Sequence, residues 1–240
     1  MNLLEFHDVK KNFKKKEVLS NISFKIGSGE IYGLIGKSGS GKSTLLNILI
    51  GMVGINGGSI LFEGKEAMKK INELRRNTGF ATQENMLFDE LTIRENCFYF
   101  GDLYGMKKKD IQTRFTELIT FLDLNGFEDT FISNLSGGMI KRANLLVSLI
   151  HNPKLLILDE PTVGLDPIVR NLLWRYIHKI NSEGTTILVT SHLLEEIEQN
   201  CHRVGIIKQG KIYSEGTLAE YKKFFGLNSL NEIFQVIMEK

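Results

Sequence analysis

Nine consecutive residues carry the most specific chemistry in the chain: Gly36, Lys37, Ser38, Gly39, Ser40, Gly41, Lys42, Ser43 and Thr44. They fit G-x-x-x-x-G-K-[ST], a pattern in which a glycine-rich turn wraps a phosphate, a lysine reaches it and a hydroxyl meets its metal ion. Gly36, Gly39 and Gly41 have access to backbone angles closed to other residues, so the chain can curl tightly round an anion. The N–H groups of such a turn face the ligand at a helix start, where the helix dipole also favours negative charge. Lys42 then reaches the β- and γ-phosphates of a nucleotide, and the Ser43 hydroxyl ligates Mg²⁺. The flanks agree: a β-type run, EIYGLI at 30–35, precedes the turn, and an apolar helical run, LLNILI at 45–50, follows it. The implied ligand is a nucleotide.

Two further places carry reactive groups. The apolar run at 154–159 closes on Asp159, with Glu160 next, and such a run reads as a strand buried on both faces of a parallel sheet. Ligands of open parallel sheets lie outside the carboxyl ends of the strands. There Asp159 suits an acid that meets Mg²⁺ directly or through water, and Glu160 suits a general base for an attacking water. A strand ending in two acids is otherwise a plain solvated turn; the phosphate loop in the same chain favours the catalytic reading. His192 stands just past another buried run, 185–190. It either holds a γ-phosphate as a neutral donor or is an ordinary loop histidine. His7, His151, His178 and His202 have no motif around them and read as structural. Cys97 and Cys201 are the only cysteines and form no CxxC, so they read as free thiols of a reducing compartment and not as metal ligands.

The elements that must position these groups follow from periodicity. Residues 3–9 and 21–26 read as antiparallel strands, joined by a basic turn, KKNFKKKE, with Phe13 alone among lysines. Phe13 is either a loop aromatic packed on its own strand or a stacking surface for a base. Residues 51–58 form a glycine-rich connection, 59–62 a strand, and 77–82 a strand ending at Gln83. From 91 to 150 helix follows helix, opened by Thr92-Ile93-Arg94-Glu95 in the form of a capping box. The alternation then resumes: strand 154–159, helix 170–180, strand 185–190, and a hairpin at Gln209-Gly210 between 204–207 and 211–214. The predicted fold is α/β. It has a largely parallel mixed sheet with helices on both faces, an antiparallel N-terminal β part and an inserted helical subdomain. Residues 1–84 and 151–226 form the core, 85–150 the helical subdomain, and 227–240 an amphipathic closing helix.

Bulk properties are consistent with this. A chain of 240 residues suffices for one large domain, or a core with a subdomain. Hydrophobic residues at 42% and charged residues at 24% are ordinary for a soluble protein, and a net charge of +2 argues neither for nor against a polyanionic partner. The longest apolar runs fall short of a membrane span, and the first residues, MNLLEFHDVKKNF, lack a signal-peptide core. A cytoplasmic chain is expected. The runs Lys14-Lys15-Lys16 and Lys107-Lys108-Lys109 read as solvated faces, with attraction to anionic lipid as a second reading.

Leu135-Ser136-Gly137-Gly138-Met139, ahead of Lys141 and Arg142, resembles the signature sequence of the ATP-binding subunits of ABC transporters. The order of phosphate loop, Gln83, signature, Asp159-Glu160-Pro161, Gly164-Leu165-Asp166 and His192 is similar to that family over about residues 3–215. The resemblance implies an ATPase that uses ATP and Mg²⁺ and works as a pair of subunits clasping two ATP molecules head to tail. In such a pair Ser136 and Gly138, with Gly137 between them, touch the γ-phosphate held by the other chain's loop. Gln83 links the Mg²⁺ site (with Ser43 and Asp159) to the helical insertion, and Asp166 communicates across the pair. Phe13 occupies the position where the family stacks an aromatic on adenine. ATP closes the pair, and hydrolysis at Glu160 opens it and moves an integral membrane subunit.

Two positions depart from the common pattern: Met139 where many members have Gln, and Thr82 where Pro is common. Met139, PTVGLDP, LTIRENCFYFGDLYGM and SLNEIF resemble the exporter-type (ABC-2-like) branch. This implies export through a separate membrane protein, a homodimer on the inner face of the cell membrane, and no nucleic-acid partner. An importer-type subunit is the alternative. A non-transport relative acting on nucleic acid or a protein complex is disfavoured, since those carry coiled coils or tandem domains. A P-loop kinase has no use for the signature.

Overall fold

A computed structural model describes residues 1–239. β1 (Asn2–Phe13) and β2 (Lys16–Gly27) pair antiparallel from Asn2 opposite Gly27 to Phe13 opposite Lys16. This corrects the expected basic turn: KKNF at 10–13 and KE at 16–17 are strand, and only Lys14-Lys15 connect them. Lysines on a solvated strand face leave the ladder intact, so charge alone mimics a loop. Phe13 is accordingly the last residue of β1.

β3 (Ile31–Ile35) is buried throughout and leads to α1 (Lys42–Leu49). Next come β4 (Gly57–Phe62), β5 (Lys65–Glu66), α2 (Ile71–Arg76) and β6 (Thr78–Ala81). The helical stretch holds α3 (Ile93–Leu103), α4 (Lys108–Phe121) and α5 (Gly137–Leu149). The alternation resumes with β7 (Leu155–Asp159), α6 (Pro167–Ser182), β8 (Thr186–Thr190) and α7 (Leu194–Asn200). β9 (Arg203–Lys208), β10 (Lys211–Gly216), α8 (Leu218–Phe225) and α9 (Leu230–Glu239) complete the chain. The expected closing helix at 227–240 is α9, with residue 240 outside the described residues. α2, α7 and α8 lie where the periodicity predicts none.

The strands form two sheets, an antiparallel one in the order β2-β1-β4-β5 and a mixed one in the order β10-β9-β3-β8-β7-β6. In the second sheet β9 to β6 run parallel and only β10 is antiparallel. Alternate residues of its strands enter different cores, as period-two side chains must. Tyr32, Leu34, Leu155, Ile157 and Leu188 pack with α1 under the antiparallel sheet, where Phe6 stacks on Phe24 at 4.2 Å. Ile31, Ile35, Leu156, Leu158, Ile187 and Val189 face the other way, into one core shared with α3 to α7 and with α9.

The expected capping box opens α3: Glu95 N–H donates to Thr92 Oγ1 at 3.1 Å, and Thr92 N–H to Glu95 Oε2 at 2.8 Å. α5 packs on β6 as well as on α3 and α4. Its end lies so close to β6 that a Cβ on Gly79 would stand 2.1 Å from the Ser148 carbonyl oxygen.

Candidate functional site

Strand register places the reactive groups along one edge. Leu34 pairs with Thr190, Thr190 with Asp159, and Ala81 with Leu158. The residues that leave these strands are the phosphate loop, Ser191-His192, Glu160 and Thr82-Gln83. Four strand ends therefore deliver four motifs to the carboxyl side of one sheet, the place where such sheets bind ligands.

The loop is shaped by close approach. A Cβ on Gly36 would stand 2.4 Å from the Ile207 carbonyl oxygen, so β9 excludes any side chain there. Gly41 adopts φ 112° against Leu19 of β2 and caps α1. Lys42 arches back over the turn, its Nζ donating to the carbonyls of Gly36 at 2.6 Å and Lys37 at 3.3 Å. Burial lowers its pKa, while the negative charges of Glu160 and Asp159 oppose the fall. That opposition places the cation and both acids in one electrostatic neighbourhood. No acid occupies the first turn of α1, so its N-terminal dipole stays available to an anion. Ser43 is exposed at this helix start.

Asp159 accepts the Thr190 hydroxyl, which orients its carboxylate across the strand ends. Glu160 takes a left-handed conformation, φ 52°, at a cost of about 1–3 kcal/mol for a residue with a side chain. Its N–H is held by the Thr190 carbonyl at 3.1 Å. This turns the side chain off the strand direction and onto His192, whose Nδ1 meets Glu160 Oε2. Glu160 is largely covered and His192 exposed, at 15% and 60% of their side-chain surface. Sequence reasoning named both residues but had no signal for their contact or for the backbone that creates it.

The signature lies apart. Ser136 N-caps α5, its Oγ accepting the Met139 N–H at 3.4 Å. Gly137 has open space where a side chain would be, and Gly138 approaches Val169 of α6. Asp166 N-caps α6, accepting from Ile168 N–H at 2.9 Å and Val169 N–H at 3.1 Å. Both of these bonds fall on Oδ1. Among the described residues no hydrogen bond joins residues 36–44 to residues 136–138. Phe13, 46% exposed, carries the Lys11 ammonium 4.9 Å from its ring centre.

Gln83 is exposed, and its carbonyl accepts Lys141 Nζ at 2.6 Å. Lys141 therefore ties the Gln83 segment to the signature helix. It was invisible as a special residue because one lysine on a helix has no motif. Its pKa is lowered by burial, with Asp159 opposing.

The donors available to a metal are oxygens: the Ser43 hydroxyl, the Asp159 carboxylate and the Gln83 amide. Among the described residues no cluster of three or more His, Cys, Asp or Glu could hold a metal ion. This donor set fits Mg²⁺, which keeps waters and shares a carboxylate with substrate phosphates in place of an all-protein cage.

Known proteins share this construction. A family model described as ABC transporter matches residues 19–163. Nod factor export ATP-binding protein I of Paraburkholderia xenovorans (strain LB400) is 37% identical over 213 residues, covering 89% of this chain and 70% of that protein. Linearmycin resistance ATP-binding protein LnrL of Bacillus subtilis (strain 168) is 35% identical over 242 residues, covering 98% and 78%. A solved ATP binding subunit of an ABC transporter superposes with a TM-score of 0.89 at 29% identity, over 99% of this chain and 100% of that one. The dimeric post-hydrolysis structure of the ATP-binding cassette MJ0796, bound to ADP and Pi, does so with a TM-score of 0.80 at 26% identity, over 90% and 98%. The matched segment runs from within β2 to just past Glu160, and relatives above 30% identity extend the likeness over most of the chain. This protein belongs to the ABC transporter family, as one of its ATP-binding, ATP-hydrolysing subunits.

Proposed function

We propose that the chain is the motor of an export system, working as a pair of identical subunits on a separate integral membrane protein. The observation that carries this reading is a divided site: one edge holds Lys42, Asp159, Glu160 and His192, while Ser136, Gly137 and Gly138 open another helix with no bond to it. A serine hydroxyl and glycine N–H groups at a helix start form an anion site, and the anion that fits is the γ-phosphate held by a second chain.

In the mechanism, loop N–H groups and Lys42 bind and orient the phosphates. Ser43, Gln83 and Asp159 would hold Mg²⁺, which when bound neutralises charge on the β- and γ-phosphates. Glu160 accepts a proton from the attacking water, and its contact with His192 fixes the carboxylate's direction. The partner's Ser136 and Gly138 stabilise charge on the transferring phosphoryl group. Asp166, capping α6 beside the Val169–Gly138 contact, passes shifts at the α6 start to the signature helix. Phe13 stacks on adenine. Phe13→Ala is expected to weaken ATP binding about tenfold, since one base–aromatic stack is worth about 1–3 kcal/mol. Isothermal titration checks this, and an unchanged Kd removes Phe13 from the site.

The name of the 37% identical Nod factor export relative supports export. No helix among the described residues is long and apolar enough to cross a membrane. A groove of about 540 Å³ between the core and the helical part fits a membrane partner; Met86, Phe100, Leu103 and Tyr104 line it. Leu103 is 70% exposed on the helix that also carries the exposed Tyr99, whose ring meets Phe88 at 5.0 Å, an apolar surface of the kind that marks an interaction site. The groove adjoins the segment after Gln83, so a helix of the membrane subunit seated there would feel the nucleotide. Leu103→Asp is expected to lower the membrane-bound fraction of the chain about tenfold, the size of effect of losing one apolar anchor. ATPase activity of the detached chain stays unchanged. An undiminished membrane fraction contradicts this docking. In inside-out vesicles ATP-driven cargo accumulation supports export, and ATP-driven loss supports the importer reading.

A further inference from the structure

Glu196 is a carboxylate in the protein core, on α7, 7% exposed. Its Oε2 accepts the Thr162 hydroxyl at 2.6 Å and the Trp174 indole N–H at 2.9 Å. Arg170 Nε stands 3.0 Å from Oε1 as an ion pair, although its N–H is not aimed at that oxygen. Thr162 is fully buried and Trp174 nearly so. One side chain thus joins three segments: the turn after Glu160, helix α6 and helix α7.

Each of these segments adjoins a residue of the candidate site. Thr162 lies two positions after Glu160, α6 starts at the Asp166 cap, and α7 starts two positions after His192. The turn from 160 to 166 is also held by its Glu160 N–H on the Thr190 carbonyl at 3.1 Å and by Arg170 Nη2 donating to the Leu165 carbonyl at 3.3 Å. Glu160 and His192 meet through their side chains from two different loops. Each loop is anchored behind that contact, and Glu196 is the anchor they share.

A buried carboxylate is an expensive way to hold helices together, since apolar residues of similar volume pack as well or better. It does give a directional tie that apolar packing cannot, fixing one loop relative to another. We infer that Glu196 is a positioning residue for hydrolysis, holding Glu160 and His192 in register through Thr162 and the start of α7. This rests on the reading of Glu160 as the base.

The test uses the full chain and reports kcat per ATP-binding site, ATP Kd and Tm. Thr162→Val removes the hydroxyl that ties the Glu160 turn to Glu196, and Trp174→Phe removes a bond to the same oxygen from α6. Thr162→Val is expected to lower kcat about tenfold with Kd within about two-fold, because misplacement of a reacting group acts on the chemical step. Trp174→Phe is expected to lower kcat less than about two-fold, and Thr162→Ser to restore it, since the hydroxyl returns. A wild-type kcat in Thr162→Val, or losses in both variants that follow Tm alone, overturns the inference. Glu160→Gln run alongside separates the two readings. If it turns over normally the base assignment fails; if it is inactive while Thr162→Val is normal, only the positioning role fails.

Discussion

Glu160→Gln is expected to stop turnover and leave ATP bound. The amide keeps the size of the side chain and an oxygen for the His192 contact, but it cannot accept a proton. Loss of a general base is worth about 10²- to 10⁴-fold, so phosphate release falls to near background. Binding survives because the groups that meet the phosphates, the loop N–H groups and Lys42, are untouched. Removing a negative charge from the neighbourhood of Lys42 also favours the bound polyanion. A paired, ATP-loaded species then accumulates. Light scattering after gel filtration with ATP reads that species, and a phosphate-release assay reads the rate. A variant that hydrolyses ATP at the wild-type rate takes Glu160 out of the base role.

Ser136→Arg is expected to have a comparable effect by a different route. The serine hydroxyl caps α5 from outside the phosphate loop of its own chain. Its replacement costs about 0.5–2 kcal/mol of local stability, too little to unfold a domain of this size. ATP binding to the single chain therefore stays at the wild-type Kd. Hydrolysis falls at least about 10²-fold, the scale on which loss of one preorganised donor to a developing charge acts. The added guanidinium would also occupy space where the second chain must approach. Ser136→Ala removes only the hydroxyl and separates this steric part from the electrostatic one. An unaffected rate in Ser136→Arg argues against a site shared between chains.

Local patterns in the sequence reveal most of the site because its parts are motifs on strand ends. Buried runs such as 154–159 and 185–190 are strands whichever way the rest folds, and the residue after each emerges at the sheet edge. The phosphate loop, Asp159, Glu160 and His192 were therefore legible together. What was not legible depends on partners remote in sequence. The left-handed turn at Glu160 is held by Thr190, 30 residues away. Glu196 sits in LLEEIEQ, where one acid among three carries no sign of burial. Only the arrival of Trp174 and Thr162 makes it a core residue. The sequence carries no start signal for α7, whose N-cap is Leu193 and makes no side-chain capping bond, or for α2, a six-residue helix that also lacks one. Phe13 was misplaced into a loop because lysine-rich sequence looks like a turn until its ladder partner is known.

The central claim is that the phosphate loop of one chain is half of a site completed by the signature of another. Mixing two inactive variants tests it most directly. Lys42→Ala disables the loop and Ser136→Arg the signature, and each alone is expected to hydrolyse ATP at background rates. A mixed pair contains one site with both halves intact. Mixing equal amounts should restore about a quarter of the wild-type rate, since half of the pairs are mixed and each has one working site of two. No recovery on mixing, with both variants folded and Ser136→Arg still binding ATP, contradicts the shared site.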